Sequence, residues 1–268
     1  MLVYNDLRRG RHKTLHRVIF LSSIVEVTYM LRQGSTELLY LDDSYLTSFE
    51  ANVVEVVENG IILDRTALHP KGGGLESDKG VIIHQGGQSV VKEAIMDERG
   101  VIHVLEGALP KLGEHVQGKL DWDRRYRIMR LHTALHVLAS IVIDKTNSLV
   151  TGNNVAPEMA RVDFSLATFD RKIFEECVNM ANEEMRKGRE VKITYMEREK
   201  VLSTPGLVKL AERMPPNIPI LRIVEIVGLD IQADGGPHVR NTSEVGEIVL
   251  VKLENKGKSN KRAYITLK

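Results

Sequence analysis

Asp121-Trp-Asp-Arg-Arg-Tyr-Arg-Ile-Met-Arg-Leu-His132-Thr-Ala-Leu-His136 is where the chain changes texture. From Arg124 to Ser140 it holds no Gly or Pro, and apolar residues recur at helical spacing, which predicts a helix reaching about Asp144. Ahead of it lie short apolar runs separated by turns. Behind it, helix-like and strand-like segments alternate. The fold expectation is α+β: a small N-terminal β-barrel-like domain, then an open α/β two-layer sandwich.

The helix carries His132 and His136. Positions i and i+4 share one helical face, so both imidazoles can reach one point. A second pair with the same spacing stands in Gln232-Ala-Asp234-Gly-Gly-Pro-His238-Val. Gly-Gly-Pro makes this a tight loop, which brings Asp234 and His238 together by turning. Three imidazoles and a carboxylate suit zinc or a similar divalent ion. Spacing alone leaves metal binding and core histidines both open. A zinc-protease reading needs Glu directly after the first His, and here Thr133 and Ala134 follow. A purely structural zinc usually takes cysteines, and neither pair has one. Histidine with a carboxylate is closer to catalytic sites that keep a position open.

Upstream, Val53-Val-Glu-Val-Val57 and Ile61-Ile-Leu63 flank Glu58-Asn59-Gly60, a hairpin signal. Val81–Ile83, Val90-Val91 with Ala94-Ile95, Val101–Leu105 and His115–Leu120 continue the strand series to Trp122. About six short strands suggest a barrel or sandwich. One loop differs from a hairpin turn: Asp64-Arg-Thr66-Ala-Leu-His69-Pro70-Lys71-Gly72-Gly73-Gly74-Leu-Glu-Ser-Asp78-Lys-Gly80. Three glycines let backbone approach a ligand closely, or simply make a flexible connection.

Downstream, strands are expected over 150–154 and 159–164. A helix capped by Asp170 should run to about Lys187 and end at Gly188. A strand follows over 190–195, then a partly helical stretch to Met214, broken by Pro215-Pro216. A strand over 220–227 precedes the DxxxH loop. A final hairpin is expected from 246–252 and 263–267, around the loop Glu254–Arg262.

The 268 residues allow one large domain or two modest ones, and the net charge of +1 does not by itself announce nucleic acid. Cys177 is the single cysteine, so no intramolecular disulfide is possible, which fits a reducing, cytoplasmic setting. No run of 18 apolar residues marks a membrane span. Residues 1–36 read as a basic extension: a disordered tail, an added helix, or an unused upstream start before Met30. The expected divisions are that extension, a barrel-like domain over 37–122 and a metal-binding domain over 123–268.

Four of these stretches together resemble the alanyl-tRNA editing proteins, the AlaX family, relatives of the editing domain of alanyl-tRNA synthetase. They are the glycine-rich stretch 64–80, the block 121–136, the block 230–246 and the basic stretch 254–262. Because a barrel precedes the His-bearing region, the chain is similar to the medium-length members. Two departures stand out: the family often has Cys at the position of Asp234, and usually Tyr and Gln at those of His69 and Leu75. The resemblance implies one Zn2+ per chain, held by His132, His136, Asp234 and His238. It implies hydrolysis of the ester joining a wrong amino acid to alanine tRNA, chiefly serine, with glycine left open as a second. Thr66 is implied as the residue that hydrogen-bonds the seryl hydroxyl, and Gly72, Gly73 and Gly74 as the substrate wall. Arg124, Arg125, Lys256, Lys258, Lys261 and Arg262 are the expected tRNA contacts, with a solvated basic loop as the bland alternative. Mischarged alanine tRNA is the expected partner, with no membrane and no obligate protein partner. A non-catalytic tRNA-binding protein with a structural metal, and an editor of another mischarged tRNA, stay open.

Overall fold

The computed structural model describes residues 32–167, 170–204, 206–208 and 218–268. Residues 1–31 of the extension expected over 1–36, and residues 209–217, lie outside the described residues. Residues 32–36, expected within that extension, are described and form a short hairpin. β1 (Arg32–Gln33) pairs antiparallel with β2 (Thr36–Leu38). Thr36 is fully buried: its hydroxyl donates to Leu63 O at 2.7 Å and accepts from Val101 N at 3.0 Å. A threonine clasp of this kind leaves no periodic trace in the sequence.

β3 (Ser48–Val57) and β4 (Gly60–Leu63) form the expected hairpin, with Val57 opposite Gly60. β5 (Arg65–Thr66) runs parallel to β2. β6 (Gly80–His84), β7 (Gly87–Met96), β8 (Val101–Glu106) and β9 (His115–Leu120) complete a closed barrel in the order β3-β4-β8-β7-β6-β9. Closure removes exposed edges. The alternation of β3 sends Phe49, Ala51 and Val53 inward against Ile61, Ile82, Val91 and Val116. A bulge between Val91 and Glu93 interrupts β7, which is why its apolar residues read as two separate pairs.

α1 (Trp122–Thr146) starts where Asp121 accepts from Arg124 N at 3.1 Å, and ends at Asn147 in the left-handed conformation. It is buried nearly all round, from Ile128 to Val142. β10 (Val150–Val155), β11 (Ala160–Phe164) and α2 (Arg171–Arg186) follow, α2 capped by Asp170 as expected. Then come β12 (Val191–Glu197), α3 (Arg198–Ser203), β13 (Ile220–Ile226), β14 (Asp230–Ala233), β15 (Ile248–Asn255) and β16 (Lys261–Leu267). One antiparallel sheet has the order β10-β11-β16-β15 and the other β12-β13-β14. α1 and α2 share one core with the four-stranded sheet, through Leu131, Leu138, Phe164, Phe174, Ala181 and Ile265. This is the α+β arrangement read from the sequence. Among the described residues no helix is long and apolar enough to cross a membrane.

Barrel and sandwich are fastened by the glycine-rich segment. Arg125, fully buried at the start of α1, forks onto Asp78, its Nε at 2.9 Å from Oδ2. Its other nitrogens donate to Ser44 O at 2.9 Å and Ala67 O at 2.5 Å. Farther on, Val155 N donates to Gly74 O at 2.7 Å and Glu76 N to Val155 O at 3.0 Å, so the loop is laced along β10.

Two outcomes follow for stability. Arg125→Met strands the Asp78 carboxylate, and unfolding in denaturant should cost about 3–5 kcal/mol less than in wild type. His103, fully buried, accepts from the Thr66 hydroxyl at Nε2 (2.8 Å), and burial pushes its pKa down from 6.5 to about 4. Folding therefore excludes a proton that the unfolded chain takes up below pH 6.5. This contribution is complete above pH 6.5 and is lost as pH falls toward 4, up to roughly 3 kcal/mol. Thermal melts should show a smaller fall over that window in His103→Gln than in wild type.

Candidate metal centre

His132 and His136 point from one face of α1 toward the loop after β14, which presents Asp234 and His238. The imidazole centroids are 4.1 Å (132–238), 4.6 Å (136–238) and 4.8 Å (132–136) apart. The Asp234 carboxylate lies against all three Nε2 atoms, at 3.5 Å from His132, 3.7 Å from His136 and 3.3 Å from His238. Tetrahedral zinc with bonds of about 2.0–2.1 Å separates its ligand atoms by roughly 3.3 Å. The carboxylate-to-imidazole distances approach that spacing and all four donor atoms lie within 4.8 Å of one another, so the cluster could hold such an ion.

The outward sides of the rings fit it too. His132 Nδ1 donates to Pro237 O at 3.3 Å, His136 Nδ1 to Asp230 Oδ2 at 3.0 Å, and His238 Nδ1 to Thr133 Oγ1 at 3.0 Å. Each contact holds the proton on Nδ1 and turns the Nε2 lone pair inward. The Asp234 loop is held as well. Gly236 N donates to Asp234 Oδ1 at 2.7 Å. The buried Arg222 donates from Nη1 to Asp234 O (2.8 Å) and Gly236 O (3.0 Å), and from Nε to Leu41 O beside the barrel (2.9 Å). A Cβ on Gly236 would lie 2.6 Å from His132 Cε1, so only glycine lets the loop come this close.

Burial alone would raise the Asp234 carboxyl, but the charge and hydrogen bonds of His132, with those of His136 and His238, hold it well below the ordinary carboxylate value. Burial, and then repulsion from His132 and His136, holds His238 well below the ordinary imidazole value. Burial pulls His136 down, yet its bonds to Asp230 and Asp234 lift it to about 9. A divalent cation held there would supply the positive charge that His136 otherwise carries between two carboxylates.

Beside the cluster opens a cavity. Gly73, Asn153 and Gln232 give it a polar rim next to His132, His136 and Asp234, while Leu135, Ala139, Val150 and Val162 form its apolar floor. Of the expected substrate wall, Gly73 lines the cavity, Gly74 packs on Asn153, and Gly72 closes a tight turn with Leu75. Thr66 is a correction. It is fully buried in the barrel, its hydroxyl donating to His103 and accepting from Leu68 N at 3.1 Å, which leaves nothing for a substrate.

The expected tRNA contacts separate. Arg125 is corrected, being fully buried in its bond to Asp78. Lys261 is corrected too: 2% exposed, its ammonium donates to Asn255 Oδ1 and Gly257 O and closes its own hairpin. Arg262 lies in β16, paired with Asp163 at 2.6 Å. Arg124 holds Glu76 at 2.7 Å and Lys256 holds Glu254 at 2.8 Å, while Lys258 stands exposed at the hairpin tip. Glu254 and Asn255 extend β15, so the expected long loop shrinks to residues 256–260.

The chain is 51% identical to the alanyl-tRNA editing protein AlaX-M of Saccharolobus solfataricus over 237 residues, 87% of this chain and 99% of that protein. It is 41% identical to AlaX-M of Methanosarcina mazei over 242 residues, 87% and 96% of the two chains. It belongs to the AlaX-M family of alanyl-tRNA editing proteins. Alanine–tRNA ligase of Archaeoglobus fulgidus is 36% identical over 261 residues, 94% of this chain but 28% of the ligase. Family profiles agree: "Threonyl and Alanyl tRNA synthetase second additional domain" matches residues 221–264, and "tRNA synthetases class II (A)" matches 18–124.

Sequence reasoning missed the outer partners of this AlaX-M centre. Asp230 and Gln232 alternate on β14 and share one face, and that period-two pattern was the available signal. Asp230→Asn weakens the acceptor behind His136. It should lower zinc affinity about 10- to 100-fold in a chelator competition, with an unchanged circular-dichroism spectrum.

Proposed function

We propose that this chain is a trans-acting deacylase of mischarged alanine tRNA, hydrolysing Ser-tRNA(Ala) and also Gly-tRNA(Ala), with one zinc ion per chain. The observation that carries the reading is the juxtaposition of a four-donor, ion-sized cluster with a small cavity walled by the glycine-rich loop. His132, His136 and His238 would hold the zinc through Nε2, and Asp234 through a carboxylate oxygen. Bound there, zinc supplies Lewis acidity toward an ester carbonyl or a water molecule.

The chain's own groups do the rest. Asp230, Thr133 and Pro237 O keep the three imidazoles in the donor form. The floor of Leu135, Ala139, Val150 and Val162 limits the side chain that can enter. The amides of Asn153 and Gln232 offer the polar contacts. A synthetase pocket built for alanine cannot strongly reject glycine or one added hydroxyl, so a second site must do so. For the tRNA itself, Lys256 and Lys258 at the β15–β16 turn, with Arg124 at the start of α1, are the proposed phosphate contacts, and the cytoplasm is the proposed place of action.

The test is a deacylation assay on Ser-, Gly- and Ala-charged alanine tRNA with and without chelator. We expect turnover of the first two, sparing of the third, and loss of activity on chelation. His132→Ala should lose both zinc and turnover while keeping its circular-dichroism spectrum. Tight tRNA binding without turnover would instead favour the non-catalytic reading.

A further inference from the structure

The esters of the proposed substrate class share one group whatever their side chain: an α-nitrogen, two bonds from the carbonyl carbon. We propose that Gln232 binds it. Its Oε1 accepts an N–H of the substrate α-amine, so the site favours esters that carry that amine over esters that lack it. This rests on the deacylase reading above and deepens it.

Three observations carry it. The first is place. Asp230 and Gln232 share the face of β14 that turns to His136, and Gln232 lines the cavity with His132, His136 and Asp234. The second is orientation. Gln232 Nε2 lies 2.9 Å from Asp230 Oδ2 and 2.9 Å from His136 Nδ1. His136 Nδ1 donates to the same carboxylate oxygen at 3.0 Å, so the two nitrogens are donors sharing one acceptor. Turning the amide over would set Oε1 against a carboxylate oxygen, acceptor on acceptor. The third is an acceptor left over. With Nε2 engaged behind His136, Oε1 is the amide atom that remains for the cavity, and among the described residues no group donates to it. The other rim amide is placed differently. Asn153 Nδ2 donates to Gly73 O at 3.1 Å, which ties that side chain to the glycine-rich loop.

The chemistry favours an amine there. An α-amine needs an acceptor close to the reacting carbon and not already taken. The neighbouring carboxylates are committed. Asp234 Oδ1 accepts from Gly236 N, its Oδ2 faces His132 and His136, and Asp230 Oδ2 holds two donors. The floor of Leu135, Ala139, Val150 and Val162 offers no side-chain acceptor. Gln232 Oε1 is beside a candidate ligand ring, within reach of a group two bonds from a carbonyl at the cluster. Being neutral, it accepts from an amine or an ammonium without adding a third carboxylate to the two already there. An ester without the α-nitrogen would cover Oε1 and leave it unpaired.

The experiment is single-turnover deacylation by zinc-loaded full chain of alanine tRNA charged with serine or with β-hydroxypropionate, the same acyl group without its α-nitrogen. Each rate is divided by that ester's uncatalysed hydrolysis. Wild type should favour the seryl ester by about 10- to 100-fold. Gln232→Met keeps the side-chain length and removes the amide. It should lower kcat/KM for the seryl ester by about the same factor and for the amine-free ester by less than about threefold, at a zinc content equal to that of wild type. Asp230→Asn, assayed at limiting zinc, should instead lower both esters together, because it acts through His136. A wild-type preference near one overturns the proposal, whether or not Gln232→Met folds. A preference that survives in Gln232→Met at full zinc content overturns it too, and is the pattern of a residue that only supports Asp230. Failure of the wild type on the seryl ester overturns the deacylase reading itself, and this one with it.

Discussion

The buried fork between Arg125 and Asp78 is the constraint on which the site depends. A guanidinium and a carboxylate without water are tolerable only when their hydrogen bonds are satisfied. Here every nitrogen of Arg125 has an acceptor, and Asp78 Oδ2 also accepts from His69 N at 2.6 Å. That geometry allows one position and one rotation of α1. His132 lies seven residues on, two turns and about 10 Å along the same face, with His136 one turn farther. The interaction that docks the barrel therefore also aims the imidazoles. Because Asp78 ends the glycine-rich segment, it sets the distance from cavity wall to metal ligands as well.

What could be read from the sequence was whatever is local. The helix through His132 and His136, its Asp121 cap and the Asn59-Gly60 turn all follow from spacing and backbone chemistry within a few residues. The four candidate ligands were legible because two of them share a helical face and a Gly-Gly-Pro turn folds the other two together. Residues that act across the chain were not legible. Asp230 matters because β14 passes behind His136, ninety-four positions away in sequence. Thr66 and Arg125 had suitable functional groups, but a hydroxyl or guanidinium carries no sequence mark of burial. Lys261 shows the same gap: a lysine in a basic run reads as solvated, yet this one turns inward to cap its own hairpin.

Asp234 carries a second lesson. A carboxylate is a harder donor than the thiolate common in the family, and it has two oxygens to control. The structure controls both. Gly236 N engages Oδ1, while Oδ2 faces His132 and His136. Arg222 fixes the backbone carbonyls on either side of the turn. A flexible loop with a free carboxylate could chelate in several ways, whereas this one offers the ion a single, fixed edge. The glycine at 236 is part of that control, since any side chain there would push the loop off His132.

The barrel closes with β9 and α1 begins at Trp122, yet residues from both sides of that point line the cavity. The four candidate ligands belong to the sandwich, and the apolar lining of the cavity to α1, β10 and β11. The wall, and the fixing of Asn153, come from a loop of the barrel. Neither part alone forms both the candidate ion cluster and the rim of the cavity beside it. A selective pocket has to fix its polar groups, and a junction does so when its contacts are as fully paired as those of Arg125 and Gly74. The barrel is thus part of the cavity, which gives a physical reason for the glycine-rich motif and the paired histidines to occur on one chain.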